Sequence, residues 1–216
     1  MQLTGEPRRF LLVRDDFYPD PDAVRAIAQA MTYSEYWGRT GHMGDVAYLP
    51  RGIRRRFENI LGMRITRWDD DPEGGNATFY KAFSSGGEKE IPAVHWDEPA
   101  GDVTAVVYLT PGLPPDCGTS LWQHRPTGLV HAPRAADARR LGTTVRALRA
   151  RLDRESTRRD RWLEVDRAGY RYNRMVAYGS GMLHSASRHF GSSLADGRIY
   201  QTFRLGVDWS TSRIHT

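Results

Sequence analysis

The feature that most constrains the fold is a series of short, strand-like segments between residues 77 and 207. The clearest covers residues 103–110, a nearly continuous run of β-branched and apolar residues that ends at the turn residues Pro111 and Gly112. Similar segments cover residues 77–83, 119–124, 170–178, 182–185 and 198–207. Many short strands separated by turns predict a β-sandwich or a β-barrel.

Helical patterns precede and interrupt these strands. The sequence Asp20-Pro21-Asp22 is typical of a helix start, with an acidic cap and proline in the first turn. A short helix is predicted around Ile53–Leu61 within an otherwise turn-rich stretch. A further helix is predicted from apolar residues at the spacing of one helix face, namely Leu141, Val145, Leu148 and Leu152.

These patterns together predict the fold class and the domain organisation. We expect an α+β chain with a mainly β core over residues 77–207 and a helical insertion near residues 134–160. Residues 1–76 form an N-terminal support of helix and loops. With 216 residues, the chain has the length of a single domain, residues 1–216.

Composition excludes several classes of protein. Cys117 is the single cysteine, which rules out an internal disulfide and any multi-cysteine zinc or iron–sulfur site. Apolar runs are too short to span a bilayer, and residues 1–10 carry no secretory signal pattern. We therefore expect a cytoplasmic protein that does not associate with membranes.

The net charge of +5 is concentrated in one segment. Residues 134–161 hold ten arginines and four acidic residues, so the remainder of the chain is close to neutral. A solvated helix face explains this segment, although it could also meet an acidic partner such as a carrier protein. Nucleic acid is a less favoured partner, because the chain has no base-stacking or groove-reading motif.

The last strand-like segment has two chemically different faces. Side chains alternate along a strand, so Ile199, Phe203 and Leu205 share one face. The opposite face carries Arg198, Tyr200, Thr202 and Arg204. In a closed barrel this polar face would line a cavity suited to an anionic ligand, since arginine binds carboxylates through paired hydrogen bonds. The alternative is an open sandwich with this face in solvent.

A His-x-Asp motif provides candidate metal ligands. His95 and Asp97 stand two positions apart, so both side chains point to the same side of an extended segment. One further histidine would complete the two-histidine, one-carboxylate face used by non-haem iron. His184 is suitable, because it follows a Gly-Ser-Gly turn shortly before the last strand. The motif alone has low specificity, and its position among the strands gives it weight.

The order of these motifs resembles that of the Fe(II)/2-oxoglutarate-dependent oxygenases. The closest branch is the prolyl 4-hydroxylase-like one, including its small bacterial members. The resemblance covers about residues 77–207 and depends on residues 94–97, 106–110, 118–122, 173–178, 183–185 and 197–203. It implies a double-stranded β-helix, or jelly-roll barrel, in which His95, Asp97 and His184 hold catalytic Fe(II).

The resemblance also implies 2-oxoglutarate and O₂ as cosubstrates. Arg198 is expected to bind the distal carboxylate of 2-oxoglutarate, with Tyr200 two positions later and Tyr80 as further contacts. The interval between His184 and Arg198 is longer than is usual in this branch. Arg188 and Arg204 therefore compete with Arg198 for the role.

The activity implied is hydroxylation of a C–H bond with release of succinate and CO₂. Asp97 favours hydroxylation over halogenation, while desaturation and ring formation stay open. The substrate would be a small molecule, an amino acid or a peptide, possibly attached to a carrier. Two alternatives are a cupin-like metal-dependent dioxygenase that does not use 2-oxoglutarate and a non-catalytic binding barrel. The sequence gives no indication of the oligomeric state.

The local sequence predicts the roles of four other polar residues. His124 is expected to have a structural role at a strand end or in a loop, and His131 and His189 are expected at the surface. Asn173 either faces substrate or satisfies a buried backbone group.

Overall fold

The computed structural model describes residues 9–35, 41–69, 76–84, 91–98 and 102–211, so residues 1–8 lie outside these ranges. The helices are α1 (Pro21–Ala30), α2 (Ile53–Leu61), α3 (Ala135–Arg140) and α4 (Val145–Glu155). The strands are β1 (Leu11–Arg14), β2 (Tyr33–Glu35), β3 (His42–Ala47), β4 (Arg64–Arg67), β5 (Thr78–Ala82), β6 (Val103–Tyr108), β7 (Thr119–His124), β8 (Trp162–Ala168), β9 (Met175–Gly179), β10 (His184–Ala186) and β11 (Arg198–Asp208). No helix of the described ranges is long and apolar enough to cross a bilayer.

The strands form two antiparallel sheets. The larger sheet has the order β1-β9-β6-β11-β5-β3-β2, and β4 pairs with β11 outside this path. The smaller sheet has the order β10-β7-β8. Within the described residues the two ladders do not close into one hydrogen-bonded barrel, so the expectation of a closed barrel is corrected to two sheets.

Strand β6 is an interior strand of the larger sheet. All six of its residues are buried, because both faces of the sheet are covered. This burial explains why the sequence of β6 is a continuous apolar run and lacks a period of two. Its neighbours are β9 and β11.

The N-terminal helices cover one face of the larger sheet. Helix α1 begins where predicted, and the Asp20 carboxylate accepts a hydrogen bond from the Ala23 backbone N–H at 3.0 Å. Helix α2 presents Phe57, whose ring centroid lies 4.7 Å from that of Phe203 and 5.1 Å from that of Phe17. Because the apolar face of β11 packs on these helices, its polar face must point to the other side of the sheet.

The predicted helical insertion consists of two helices. Leu141 follows α3, and Gly142 adopts a left-handed backbone conformation (φ +62°) that separates α3 from α4. The single helical stripe predicted from the sequence was therefore wrong at Leu141. Leu148 and Leu152 of α4 do pack as predicted into a buried apolar cluster.

The strands differ from the expectations in three places. Strands β1 to β4 lie within residues 1–76, where helix and loops were expected, and all four belong to the larger sheet. Strand β8 was not predicted, and its residues Leu163 and Val165 are exposed at the edge of the smaller sheet. Strand β9 begins at Met175 because Asn173 has a positive φ of 61° and forms a turn. The Asn173 side chain accepts a hydrogen bond from the Tyr18 N–H and donates one to the Tyr18 carbonyl. It therefore satisfies buried backbone groups.

Candidate metal centre

Three predicted ligands meet at one point between the two sheets. His95, Asp97 and His184 each offer one ligand atom, and these atoms lie within 4.8 Å of one another. Nε2 of His184 is 3.5 Å from Oδ2 of Asp97, and Nε2 of His95 is 4.0 Å from Oδ1. The structure thus brings together residues that are almost ninety positions apart in the chain.

Backbone pairing positions the two histidines. The His95 N–H donates to the His184 carbonyl at 2.9 Å, and the His184 N–H donates to the His95 carbonyl at 2.8 Å. Nδ1 of His95 lies 2.9 Å from the Ala93 carbonyl, and Nδ1 of His184 lies 2.8 Å from the Met182 carbonyl. A carbonyl only accepts, so each neutral ring carries its proton on Nδ1 and presents an Nε2 lone pair to the centre.

Asp97 is buried and ionised. Burial opposes its ionisation, but the positive charges that His184 and His95 carry when protonated without a metal, the Thr104 hydroxyl and the Arg204 charge together lower the pKa of Asp97 to about 2. The Thr104 hydroxyl donates to Oδ2 at 2.8 Å. Two neutral imidazoles and one carboxylate form a donor set that fits a divalent transition metal, iron among them.

A cavity of about 440 Å³ extends from this centre between the sheets. Its wall includes the polar face of β11, as the alternation of that strand predicted. The lining residues are Tyr80, Pro92, Ala93, Val94, His95, Asp97, Thr104, Val106, Thr119, Asp153, Ser156, Tyr178, His184, Ser185, Ala186, His189, Arg198, Tyr200, Thr202 and Arg204.

Arg198 places a buried positive charge in the cavity wall. The side chain is 2% exposed, and its guanidinium carbon lies 4.7 Å from the ring centroid of Tyr200, 5.1 Å from Tyr108 and 5.8 Å from Tyr170. In the described part of the chain Arg198 forms no ion pair, and its Nε has no hydrogen-bond partner. A buried cation of this kind favours an anionic ligand.

Aromatic side chains complete this part of the wall. Tyr80 and Tyr200 stack with ring centroids 5.4 Å apart. Tyr178 was not singled out from the sequence, yet its ring centroid lies 4.5 Å from that of His184. Burial, and then the nearby Asp97 charge, raise the pKa of Tyr178, so the phenol is neutral. Tyr178 could be found only through the pairing of β9 with β6.

Two other residues lie elsewhere than the sequence predicted. Arg188 is half-exposed, bonds to Asp116 at 3.0 Å and does not line the cavity, which removes it from the competition for a cosubstrate. His189 is 4% exposed and lines the cavity, so its placement at the surface was wrong. His124 is a buried strand-end residue, as predicted, and bonds to Thr127 and Glu155.

Comparison with known sequences identifies a family. The sequence profile of DUF6445, a family of unknown function, matches residues 1–200. The chain belongs to DUF6445. No curated protein sequence matches the DUF6445 chain significantly.

Comparison with solved structures supports the fold of this DUF6445 protein. A crystal structure of HygX from Streptomyces hygroscopicus, with nickel and 2-oxoglutarate bound, superposes with a TM-score of 0.54. The alignment covers 93% of the DUF6445 chain and 84% of HygX at 12% sequence identity. At this identity the similarity concerns the fold, and the role of each DUF6445 residue must be argued from its own geometry.

Proposed function

We propose that this protein is a non-haem Fe(II)- and 2-oxoglutarate-dependent dioxygenase with a double-stranded β-helix core. The observation that carries the proposal is the convergence of His95, Asp97 and His184 in the cavity that also holds Arg198. A ligand that fits this cavity would chelate the metal ion with one end and place a carboxylate at its other end against the buried guanidinium of Arg198. The fold similarity to HygX, which holds nickel and 2-oxoglutarate, supports the same assignment.

The chain would provide both attachment points for 2-oxoglutarate. His95, Asp97 and His184 would hold Fe(II), which together with 2-oxoglutarate and O₂ supplies the oxidising chemistry that hydroxylates a C–H bond and releases succinate and CO₂. Arg198 would bind the distal carboxylate, and the stacked pair Tyr80 and Tyr200 would flank it. Because these side chains are held by the sheet, the cosubstrate is oriented before the reaction begins.

The cavity favours a small substrate. Its volume of about 440 Å³ is within the range of about 300–1,000 Å³ typical of small-molecule sites. On α4, Arg149 pairs with Glu98 and Arg151 pairs with Glu155, so part of the positive charge of this segment is balanced locally. This balance favours a small molecule, an amino acid or a peptide over nucleic acid.

The decisive experiment is an anaerobic titration of the metal-free protein with Fe(II) and then 2-oxoglutarate, followed by visible absorbance. We expect a weak charge-transfer band that appears only when both are present and is absent in Asp97→Ala. Fe(II) binding without the band would favour a dioxygenase that does not use 2-oxoglutarate. Absence of metal binding would contradict both dioxygenase assignments and favour the non-catalytic binding barrel.

A further inference from the structure

The cavity contains a second arginine that the proposed function does not use. Arg204 stands six residues after Arg198 on the same face of β11, a separation of about 20 Å along the strand. It lies opposite Thr104 in the ladder with β6, and its charge acts on Asp97. Two parallel side chains this far apart cannot hold the same carboxylate, so any anion that binds Arg204 is distinct from one that binds Arg198.

Arg204 has a buried group that its own chain does not satisfy. Its Nε is buried without a hydrogen-bond partner, and in the described ranges its guanidinium forms no ion pair. The cavity wall also contains Asp153, an exposed residue of α4 that is not ion-paired with any described residue. The cavity is thus lined by two opposite charges, Arg204 on β11 and Asp153 on α4.

When a metal ion and 2-oxoglutarate occupy the cavity, Arg204 and Asp153 are the two charged residues of its wall that these ligands do not balance. A divalent metal ion and Arg198 carry three positive charges, which Asp97 and the doubly charged 2-oxoglutarate balance. His95 and His184 are neutral ligands. What remains is one cation, Arg204, and one anion, Asp153, so the cavity has no net charge, and a ligand with one charge of each sign keeps it neutral while giving each of the two residues a partner of opposite charge.

We propose that the substrate is an α-amino acid whose carboxylate binds Arg204 and whose ammonium group binds Asp153. This inference depends on the proposed function, because it assigns Arg198 to the cosubstrate. The competing role for Arg204 is to balance the charge of Asp97. In that role its loss would weaken metal binding and leave amino-acid binding to the intact centre unaffected.

Saturation-transfer NMR tests the proposal without turnover. The full-length protein is loaded with Zn(II) and 2-oxoglutarate and mixed with the twenty protein L-amino acids at equal concentration. We expect one amino acid or a small group to receive saturation. We expect its N-acetyl derivative and its decarboxylated amine, each lacking one charge, to bind at least tenfold more weakly.

Variants then assign the contacts. Arg204→Gln and Asp153→Asn should each raise the dissociation constant of the bound amino acid at least tenfold, with unchanged affinity for Zn(II) and 2-oxoglutarate. Arg204→Lys, which keeps the charge, should retain part of the binding. Arg146→Gln on the exposed face of α4 and Asp160→Asn are the charge-matched controls, and both should bind like the wild type.

Three results would overturn the inference. These are absence of saturation for all twenty amino acids, equal binding of the derivatives, or loss of Zn(II) or 2-oxoglutarate affinity in Arg204→Gln. The charge-transfer titration separates the two proposals. A band without amino-acid binding refutes the zwitterion inference alone, whereas absence of the band refutes the proposed function.

Discussion

At the scale of single residues, Thr104 determines how Asp97 is presented. Its hydroxyl has one proton, and the two acceptors within reach are Oδ2 of Asp97 at 2.8 Å and the Ser180 hydroxyl at 3.1 Å. The charged carboxylate is the stronger acceptor, so the proton belongs to that bond. Supporting contacts of this kind orient a metal ligand and raise the affinity of the site for its ion.

Replacing Thr104 by valine should therefore weaken metal binding about 10- to 100-fold, since the carboxylate loses the donor that fixes its orientation. Competition titration with Ni(II) measures the affinity. Thr104→Ser keeps the hydroxyl and should keep the wild-type affinity. Equal affinities for the valine and serine variants would show that the contact does not position the ligand.

Arg198 provides the second prediction at this scale. Arg198→Gln should raise the dissociation constant of 2-oxoglutarate roughly 10- to 100-fold, because a hydrogen bond to a charged group contributes about 1.5–3 kcal/mol. Metal affinity should not change. Arg188→Gln, outside the cavity, is the matched control. If Arg204→Gln shows the effect and Arg198→Gln does not, the cosubstrate binds at the other end of β11.

At the scale of elements, a buried clamp joins β7 to α4. Nδ1 of His124 lies 2.9 Å from the Thr127 hydroxyl, and Nε2 lies 2.8 Å from Oε2 of Glu155. Burial lowers the pKa of His124, and the hydrogen bond that its Nε2–H donates to Glu155 only partly opposes this. Burial opposes ionisation of Glu155, but His124 and Arg151 lower its pKa overall.

Both shifts make the fold less stable in acid. As the pH falls below about 6.5, unfolded chains take up a proton at His124 before folded ones do, and Glu155 adds the same effect below about 4.5. Urea unfolding should show that the free energy of unfolding is lower at pH 5.5 than at pH 7.5 by on the order of 1 kcal/mol. In His124→Gln this difference should be smaller. His131→Gln, outside the clamp, should behave as the wild type.

Elements with a strong local pattern could be predicted from the sequence, and the others depend on distant contacts. The polar and apolar faces of β11 and the start of α1 follow from side-chain alternation and helix capping. Strand β8 has only a four-residue alternation of Leu163 and Val165 with Glu164 and Asp166, and these apolar residues are exposed at a sheet edge and pack into no core, so the pattern is weak. The division between α3 and α4 depends on one backbone angle at Gly142.

At the scale of the whole molecule, the cavity combines residues from both sheets and a helix. The spacing of His95 and Asp97 could be read from the sequence because it is local. Thr104, Tyr178 and Asp153 belong to β6, β9 and α4, and they meet only because the two sheets pack against each other. Local spacing could therefore predict that His95 and Asp97 face the same way, whereas their meeting with His184 and most of the cavity wall depends on tertiary packing.

The metal centre should also stabilise the whole fold. Its ligands come from the segment before β6 and from β10, so the site exists only when the sheets are assembled, and an ion that binds it shifts folding by mass action. At a hundredfold excess over the dissociation constant the gain is about 2.7 kcal/mol, or roughly 5–10 °C in Tm for a chain of this size. Calorimetry with and without Ni(II) measures the shift, and EDTA should reverse it. Asp97→Asn should show no shift, and a shift that persists in this variant would place the ion at another site.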